Sequence, residues 1–157
     1  MNAQVTVSLH SGPLSLSSQQ PSQRSSLGGG ARLVFEGVVR GQEAGRELRA
    51  LAYQAYEPMT TRELRRLAEE VAIEHGVLGV HVEHSVGTVP VGGVSFRLII
   101  LGKHRAEAIA ACDAFIARMK QHVPLWKLPV WADADADSDA DSDSASTDDG
   151  RTDQPVG

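Results

Sequence analysis

Basic residues stand at three boundaries between predicted secondary-structure elements, where together they could hold an anion. Arg40 closes a predicted strand, and the run 103–105 (KHR) follows an apolar strand and opens a helix. Lys120 and Lys127 bracket the end of that same helix. A helix start offers unpaired N–H groups to a phosphate, and strand ends carry functional side chains on a rigid frame. Each cluster alone could also lie in water or complement a helix dipole.

Other candidate sites are weaker. His81 and His84 are three residues apart on a predicted strand, so their side chains point to opposite faces and cannot share a metal ion. Cys112 falls on the apolar stripe of a predicted helix, which is typical of a core residue rather than a nucleophile. Aromatic residues make up only 4%, too few for a basic surface that stacks nucleic-acid bases. The sequence therefore predicts no metal site, no cofactor and no nucleic-acid partner.

The composition allows one domain of ordinary size among the 157 residues. Apolar residues make up 41% and charged residues 22%, enough for a packed core. No apolar run reaches the roughly 18 residues of a membrane-spanning helix, so no membrane partner is expected. The single cysteine excludes a disulfide framework and fits a reducing cytoplasm.

The two signs of charge are segregated along the chain. Residues 1–131 hold 14 of the 15 Lys and Arg against 11 acidic residues, a net charge of +3. Residues 132–157 hold Arg151 against nine Asp, a net charge of −8. We therefore predict one mildly basic domain over 1–131, whose residues 1–31 hold a first strand and a long loop. The low-complexity acidic tail over 132–157 is predicted to be disordered because it lacks large apolar residues.

The pattern of apolar residues predicts five strands and two helices. Strands are expected at 5–9, 32–39, 48–56, 80–84 and 94–101, with the third antiparallel to the second, and helices at 60–75 and 105–122. This order predicts an α+β sandwich in which two helices cover one face of a mostly antiparallel sheet.

Both helices carry local signals. Thr60 and Glu63 have the spacing of a capping box, and Gly76 supplies a left-handed stop. The apolar stripe of the second helix is predicted to consist of Ile109, Cys112, Ile116 and Met119.

Four short motifs resemble the large, catalytic subunit of molybdopterin synthase, the MoaE-like family. They are F-x-G-x-V-R ending at Arg40, Y-x-x-M from Tyr56, H-R at 104–105, and K-x-x-x-P-x-W-K from Lys120 to Lys127. They occur in the family's order and at its spacing over roughly residues 5–127. Each motif is weak alone, whereas four in series are specific.

The resemblance implies an α/β hammerhead-type fold and a homodimer. Two small ubiquitin-like sulfur-carrier subunits would bind this dimer to make a heterotetramer, each inserting a thiocarboxylated Gly-Gly terminus. The implied reaction is a sulfur transfer to cyclic pyranopterin monophosphate, which forms the dithiolene of molybdopterin. Substrate and thiocarboxylate are both anions, which agrees with a cationic pocket.

The resemblance also implies a role for each basic residue. Lys120 would act as general acid/base or charge stabiliser near the transferring sulfur, and Lys127 would share that role or bind the carrier's terminus. Arg40, His104 and Arg105 would hold the phosphate and pterin of the substrate.

The chain departs from the family after its last motif. Lys127 is followed by Leu128 and Pro129, where the family continues with a basic residue and a glutamate. Two alternatives therefore stay open: a non-catalytic homologue that binds the sulfur carrier or an anionic ligand, and an interaction module that uses its acidic tail.

Overall fold

The computed structural model describes residues 2–15 and 28–135, which form one sheet with two helices. The elements in chain order are β1 (Gln4–Ser11), β2 (Ala31–Val38), β3 (Gln42–Glu43), β4 (Arg46–Ala55), α1 (Met59–His75), β5 (Gly79–Pro90), β6 (Val94–Gly102), α2 (Arg105–His122), β7 (Leu125–Trp131) and a 3₁₀ helix (Ala132–Asp135). The α+β class and the two helices are as predicted. None of the described helices is long and apolar enough to cross a bilayer.

The sheet is antiparallel except for one pair. Its order is β2-β6-β5-β4-β3, β7 pairs with the other side of β4, and β1 runs parallel to β5. The strands predicted at 32–39 and 48–56 run antiparallel to each other, as predicted, but they are not neighbours in the sheet. β2 pairs with β6, whereas β4 pairs with β3, β5 and β7. Strand β7 was not predicted because Trp126, Lys127, Leu128 and Pro129 are all exposed and show no alternation.

The core lies between the helices and one face of the sheet. Fully buried Phe115 of α2 stacks on Phe96 of β6, with 6.4 Å between ring centroids. The predicted apolar stripe of α2 is wrong at Ile109, which is 56% exposed. The helix is rotated relative to that prediction, and its buried residues are Ala108, Ala111, Cys112 and Phe115.

The start of α1 differs from the predicted capping box. The helix begins at Met59 with Pro58 as its N-cap, and Thr60 does not cap it because its side chain is fully buried and bonded elsewhere. The Thr60 hydroxyl donates to the Pro124 carbonyl at 2.7 Å and accepts from the Tyr56 N–H at 2.8 Å. At the other end, Gly76 has the predicted left-handed conformation, with φ of 64°.

The opposite face of the sheet holds a buried cation. The Arg97 guanidinium donates to Glu36 and Glu83, each at 2.7 Å, and to the Ser15 carbonyl at 2.5 Å. These bonds join β2, β5 and β6 to the segment after β1.

The described secondary structure continues past the predicted domain boundary at residue 131. Residues 132–135, the first four of the predicted tail, form the 3₁₀ helix. The rest of that tail, 136–157, and most of the predicted loop, 16–27, lie outside the described residues.

Replacing Thr60 by Val should lower the free energy of unfolding by about 2 kcal/mol, because the Tyr56 N–H and the Pro124 carbonyl lose a buried partner. Thr61→Val is the matched control, since Thr61 donates only to the neighbouring Glu57 carboxylate, and it should change stability by less than about 0.5 kcal/mol. Urea denaturation measures both. Equal effects of the two substitutions would contradict a special role for the Thr60 hydroxyl.

Stability should fall as the pH falls below about 6.5, the usual pKa of histidine. Burial lowers the pKa of His84, although the bond from its Nδ1–H to the Ser85 carbonyl opposes the shift. As the pH falls, the unfolded chain therefore binds a proton at a higher pH than the folded chain. Each histidine with a lowered pKa in the folded state reduces the free energy of unfolding by at most about 1.4 kcal/mol per pH unit. His84→Gln should reduce the fall in Tm between about pH 7.5 and about pH 5.5. His122→Gln, which removes an exposed imidazole, should leave that fall unchanged.

Candidate anion-binding site

A groove of about 540 Å³ lies beside the β3–β4 hairpin and is lined by Arg40 and residues 41–45. The hairpin turns through Ala44 and Gly45, both at positive φ, as in the two-residue turns that match strand twist. The backbone just before Arg40 is fixed, because buried Val39 exchanges hydrogen bonds with Gly92 and Gly93. The Arg40 side chain is exposed and has no ion pair within the described part of the chain.

Lys127 reaches this hairpin from β7. It lies opposite Tyr53 in the β4–β7 register, and its side chain is 52% exposed. Its Nζ forms an ion pair with the Glu43 carboxylate of β3. Lys127 of β7 therefore contacts this hairpin through Glu43, and Arg40 lies at the base of the hairpin.

Arg46, across the hairpin from Glu43, makes a separate ion pair. Its guanidinium donates to both carboxylate oxygens of Asp133, at 3.0 and 3.1 Å. It also lies over the Trp131 ring, 4.2 Å from the centroid. Two links, from Glu43 and from Arg46, thus join the hairpin to β7 and the 3₁₀ helix.

Lys120 lies in the last turn of α2, just before the connection to β7. It is exposed and has no hydrogen bond or ion pair among residues 2–15 and 28–135. The same end of the molecule exposes the apolar side chains of Tyr56, Met59 and Trp126. The segments that carry them meet at Pro124, whose carbonyl accepts from the Tyr56 N–H at 3.4 Å.

His104 and Arg105 lie at the opposite end of α2. Both are exposed, and the His104 N–H donates to the Glu107 carboxylate at 2.6 Å, a bond that lowers the pKa of that carboxyl. Because a helix rises 1.5 Å per residue, about 22 Å of helix separate Arg105 from Lys120. One copy of the chain therefore brings Lys127 of β7 to the hairpin that follows Arg40 but keeps His104 and Arg105 far from Lys120.

Strand β2 forms an edge of the sheet and carries exposed apolar residues. It pairs with β6 alone among the described strands, and Val34, Phe35 and Val38 are 40%, 39% and 52% exposed. Ala31 pairs with Gly102, just before α2 begins, while Val38 lies just before Arg40. The two cationic clusters thus lie at opposite ends of one unpartnered apolar edge.

The sequence did not indicate Glu43 or Arg46 as part of this site. The Lys127–Glu43 contact joins residues 84 positions apart, and a glutamate in a polar loop carries no local signal. The histidines behave as their spacing predicts. His84 packs in the core between Tyr53 and Phe96, whereas His81 contacts Thr6 on the other face. The described residues contain no cluster of side chains able to ligate a metal ion.

Comparisons with known proteins identify the family to which the chain belongs. A family model described as MoaE protein matches residues 9–122. The molybdopterin synthase catalytic subunit of Oryza sativa subsp. indica is 37% identical over 109 residues, which cover 69% of this chain and 56% of that protein. The protein of the same description from Pyrococcus abyssi is 31% identical over 117 residues, 71% of this chain and 79% of that protein. The chain thus spans little more than half of the rice relative.

Solved structures show the same fold. The crystal structure of molybdopterin synthase from Staphylococcus aureus matches with a TM-score of 0.67 and 26% identity, over 85% of this chain and 93% of that one. The complex of subunits 1 and 2 of molybdopterin-converting factor from Helicobacter pylori matches with a TM-score of 0.64 and 24% identity, over 82% and 90%. With the family model covering most of its described residues, this chain belongs to the MoaE protein family.

Proposed function

We propose that this protein is the catalytic subunit of a molybdopterin synthase, a sulfurtransferase of molybdenum cofactor biosynthesis. It would transfer sulfur from the thiocarboxylated C-terminus of a small carrier protein to cyclic pyranopterin monophosphate. The observation that carries the proposal is the set of exposed cations, Arg40, Lys120 and Arg105, that have no ion pair within the described residues. They stand at the positions where the family motifs of the sequence require them. The lone cysteine favours the cytoplasm as its location.

The chemistry explains why such cations are needed. A thiocarboxylate sulfur bonds to a carbon of the pterin side chain as a C–O bond at that carbon breaks and its oxygen leaves. Water then hydrolyses the resulting thioester, so that the sulfur stays on the pterin and the carrier leaves as a carboxylate. Negative charge develops on the attacked pterin and on the departing carboxylate. Unpaired ammonium and guanidinium groups placed in advance stabilise that charge without rearranging. We assign this role to Lys120 and Lys127, and substrate binding to Arg40, His104 and Arg105.

This protein has an exposed apolar surface beside Lys120 to which the carrier could bind. Exposed Tyr56, Met59, Trp126 and Leu128 form an apolar area where α1, α2 and β7 meet. Exposed aromatic and methionine side chains of this kind are enriched at protein interfaces. A carrier bound there would bring its C-terminus between Lys120 and Lys127.

A second copy of the chain would complete the site. Two β2 edges that pair antiparallel about a two-fold axis cover Val34, Phe35 and Val38 and satisfy the free edge. Such pairing sets the Ala31 end of one strand beside the Val38 end of the other. His104 and Arg105 of one copy then approach Arg40 and Lys120 of its partner, which one chain alone cannot achieve.

Lys120→Ala should reduce single-turnover formation of the dithiolene product at least about 100-fold, the usual effect of losing one preorganised charge stabiliser. The assay uses the purified protein, a thiocarboxylated carrier and cyclic pyranopterin monophosphate. Arg65→Ala, which removes an exposed cation from α1, should leave the rate within about twofold. Product formation by Lys120→Ala at the wild-type rate would remove Lys120 from the mechanism.

A non-catalytic homologue that only binds the carrier is the other candidate. The observation in its favour is the Glu43 carboxylate on Lys127, which neutralises one of the two proposed catalytic lysines. Wild-type protein that forms a stable complex with the carrier but yields no product would support this candidate.

Mixing two inactive variants tests the shared site. Lys120→Ala and Arg105→Ala homodimers should each be inactive, whereas random exchange of subunits makes half of the dimers mixed, each with one intact site. About a quarter of wild-type activity should therefore return on mixing. If every site lay within one chain, mixing would restore nothing.

A further inference from the structure

Glu43 contacts Lys127 although another cation, Arg46, lies directly opposite it in the β3–β4 ladder. Opposite charges at such positions commonly pair. Arg46 instead binds Asp133 and lies over Trp131. The Glu43 carboxylate is therefore available to the Lys127 ammonium, which is its ion-pair partner.

Glu43 lines the groove, so its ion pair with Lys127 affects how an anion can bind there. Among the residues that line the groove, Glu43 is the only acid and Arg40 the only base. An oxyanion that approached Lys127 would meet the Glu43 carboxylate, which also lines the groove beside Arg40. Two anions so close repel each other, so binding must displace the carboxylate or be weakened by it.

We propose that Glu43 is an internal counter-anion of Lys127, which occupies the place of the ligand's carboxylate until the ligand displaces it. Glu43 is thus a positioning and specificity residue that acts through Lys127. The identity of the ligand rests on the proposed function: a carboxyl-type group at a carrier's C-terminus matches the carboxylate of Glu43 better than a phosphate does. The displacement itself requires only that an anion binds Lys127.

A purely structural role would act differently. An exposed ion pair contributes little to stability, and the hairpin is held to the 3₁₀ helix by Arg46 and Asp133 in any case. Under that interpretation, removing the Glu43 charge leaves anion binding unchanged. Under the proposal, the same substitution releases Lys127 and strengthens binding.

The test is calorimetric binding of a peptide that ends in Gly-Gly with a free carboxylate, and separately of inorganic phosphate, to the full chain. Glu43→Gln should bind the peptide about three- to tenfold more tightly at low salt, and the gain should shrink as salt screens the charge. Glu43→Asp should return the affinity toward wild type. An equal gain for phosphate would show that the displaced group recognises any oxyanion, which overturns the assignment to a carboxylate.

Two controls isolate the route through Lys127. Glu47→Gln removes the same charge from an exposed position on the same hairpin and should change the affinity by less than about twofold. In a Lys127→Ala background, Glu43→Gln should have no effect, because its partner is absent. A gain that persists without Lys127, or an equal gain from Glu47→Gln, would reduce the effect to overall charge and overturn the proposal.

The sulfur-transfer assay separates this inference from the proposed function. Tighter peptide binding by Glu43→Gln without product from any variant supports the counter-anion and contradicts the enzyme. Product from the wild type together with unchanged affinity in Glu43→Gln supports the enzyme and overturns the counter-anion.

Discussion

The buried hydroxyl of Thr60 fixes where the candidate site lies. It bonds at once to the segment before α1 and to the connection between α2 and β7, through the Tyr56 N–H and the Pro124 carbonyl. A buried hydroxyl with both bonds made is rigid, because leaving either partner unpaired is costly. Lys120 lies four residues before this junction and Lys127 three after it. The relative position of the two lysines therefore depends on a residue that carries no charge.

The second constraint is the length of α2. A helix packed along its full length against the sheet by Phe115 and its neighbours cannot bend to bring its ends together. Cations at both ends of such a helix serve one ligand only if another chain brings the opposite end near. The partly apolar edge of β2, which pairs only with β6 among the described strands, runs between the same two ends. Helix length and edge exposure are independent features, and both support the proposed two-fold arrangement.

The sequence was most informative where local patterns decide the structure. Both helices, the Gly76 stop and the α+β class follow from periodicity and backbone preference. The failures all involve tertiary competition. Thr60 looked like a cap, but a buried partner 64 residues away uses its hydroxyl. Strand β7 has no alternating pattern because consecutive residues on both of its faces are exposed, and it forms through its pairing with β4. The separation of Arg105 from Lys120 was missed because motif order says nothing about distance along a helix.

Ion pairing separates the cations of this protein into two groups with different physical roles. Arg97 is buried and bonded to two carboxylates, so it serves the fold, and its charge is not available to a ligand. Arg40 and Lys120 are exposed on rigid backbone without an ion pair in the described region, so a ligand's anion meets a full, accessible charge. Lys127 lies between these groups, since its pair with Glu43 is exposed and an incoming anion can replace it. The weak pair with Glu43 holds the Lys127 ammonium in place but can be broken by another anion. Reversible binding of an anionic terminus requires both properties.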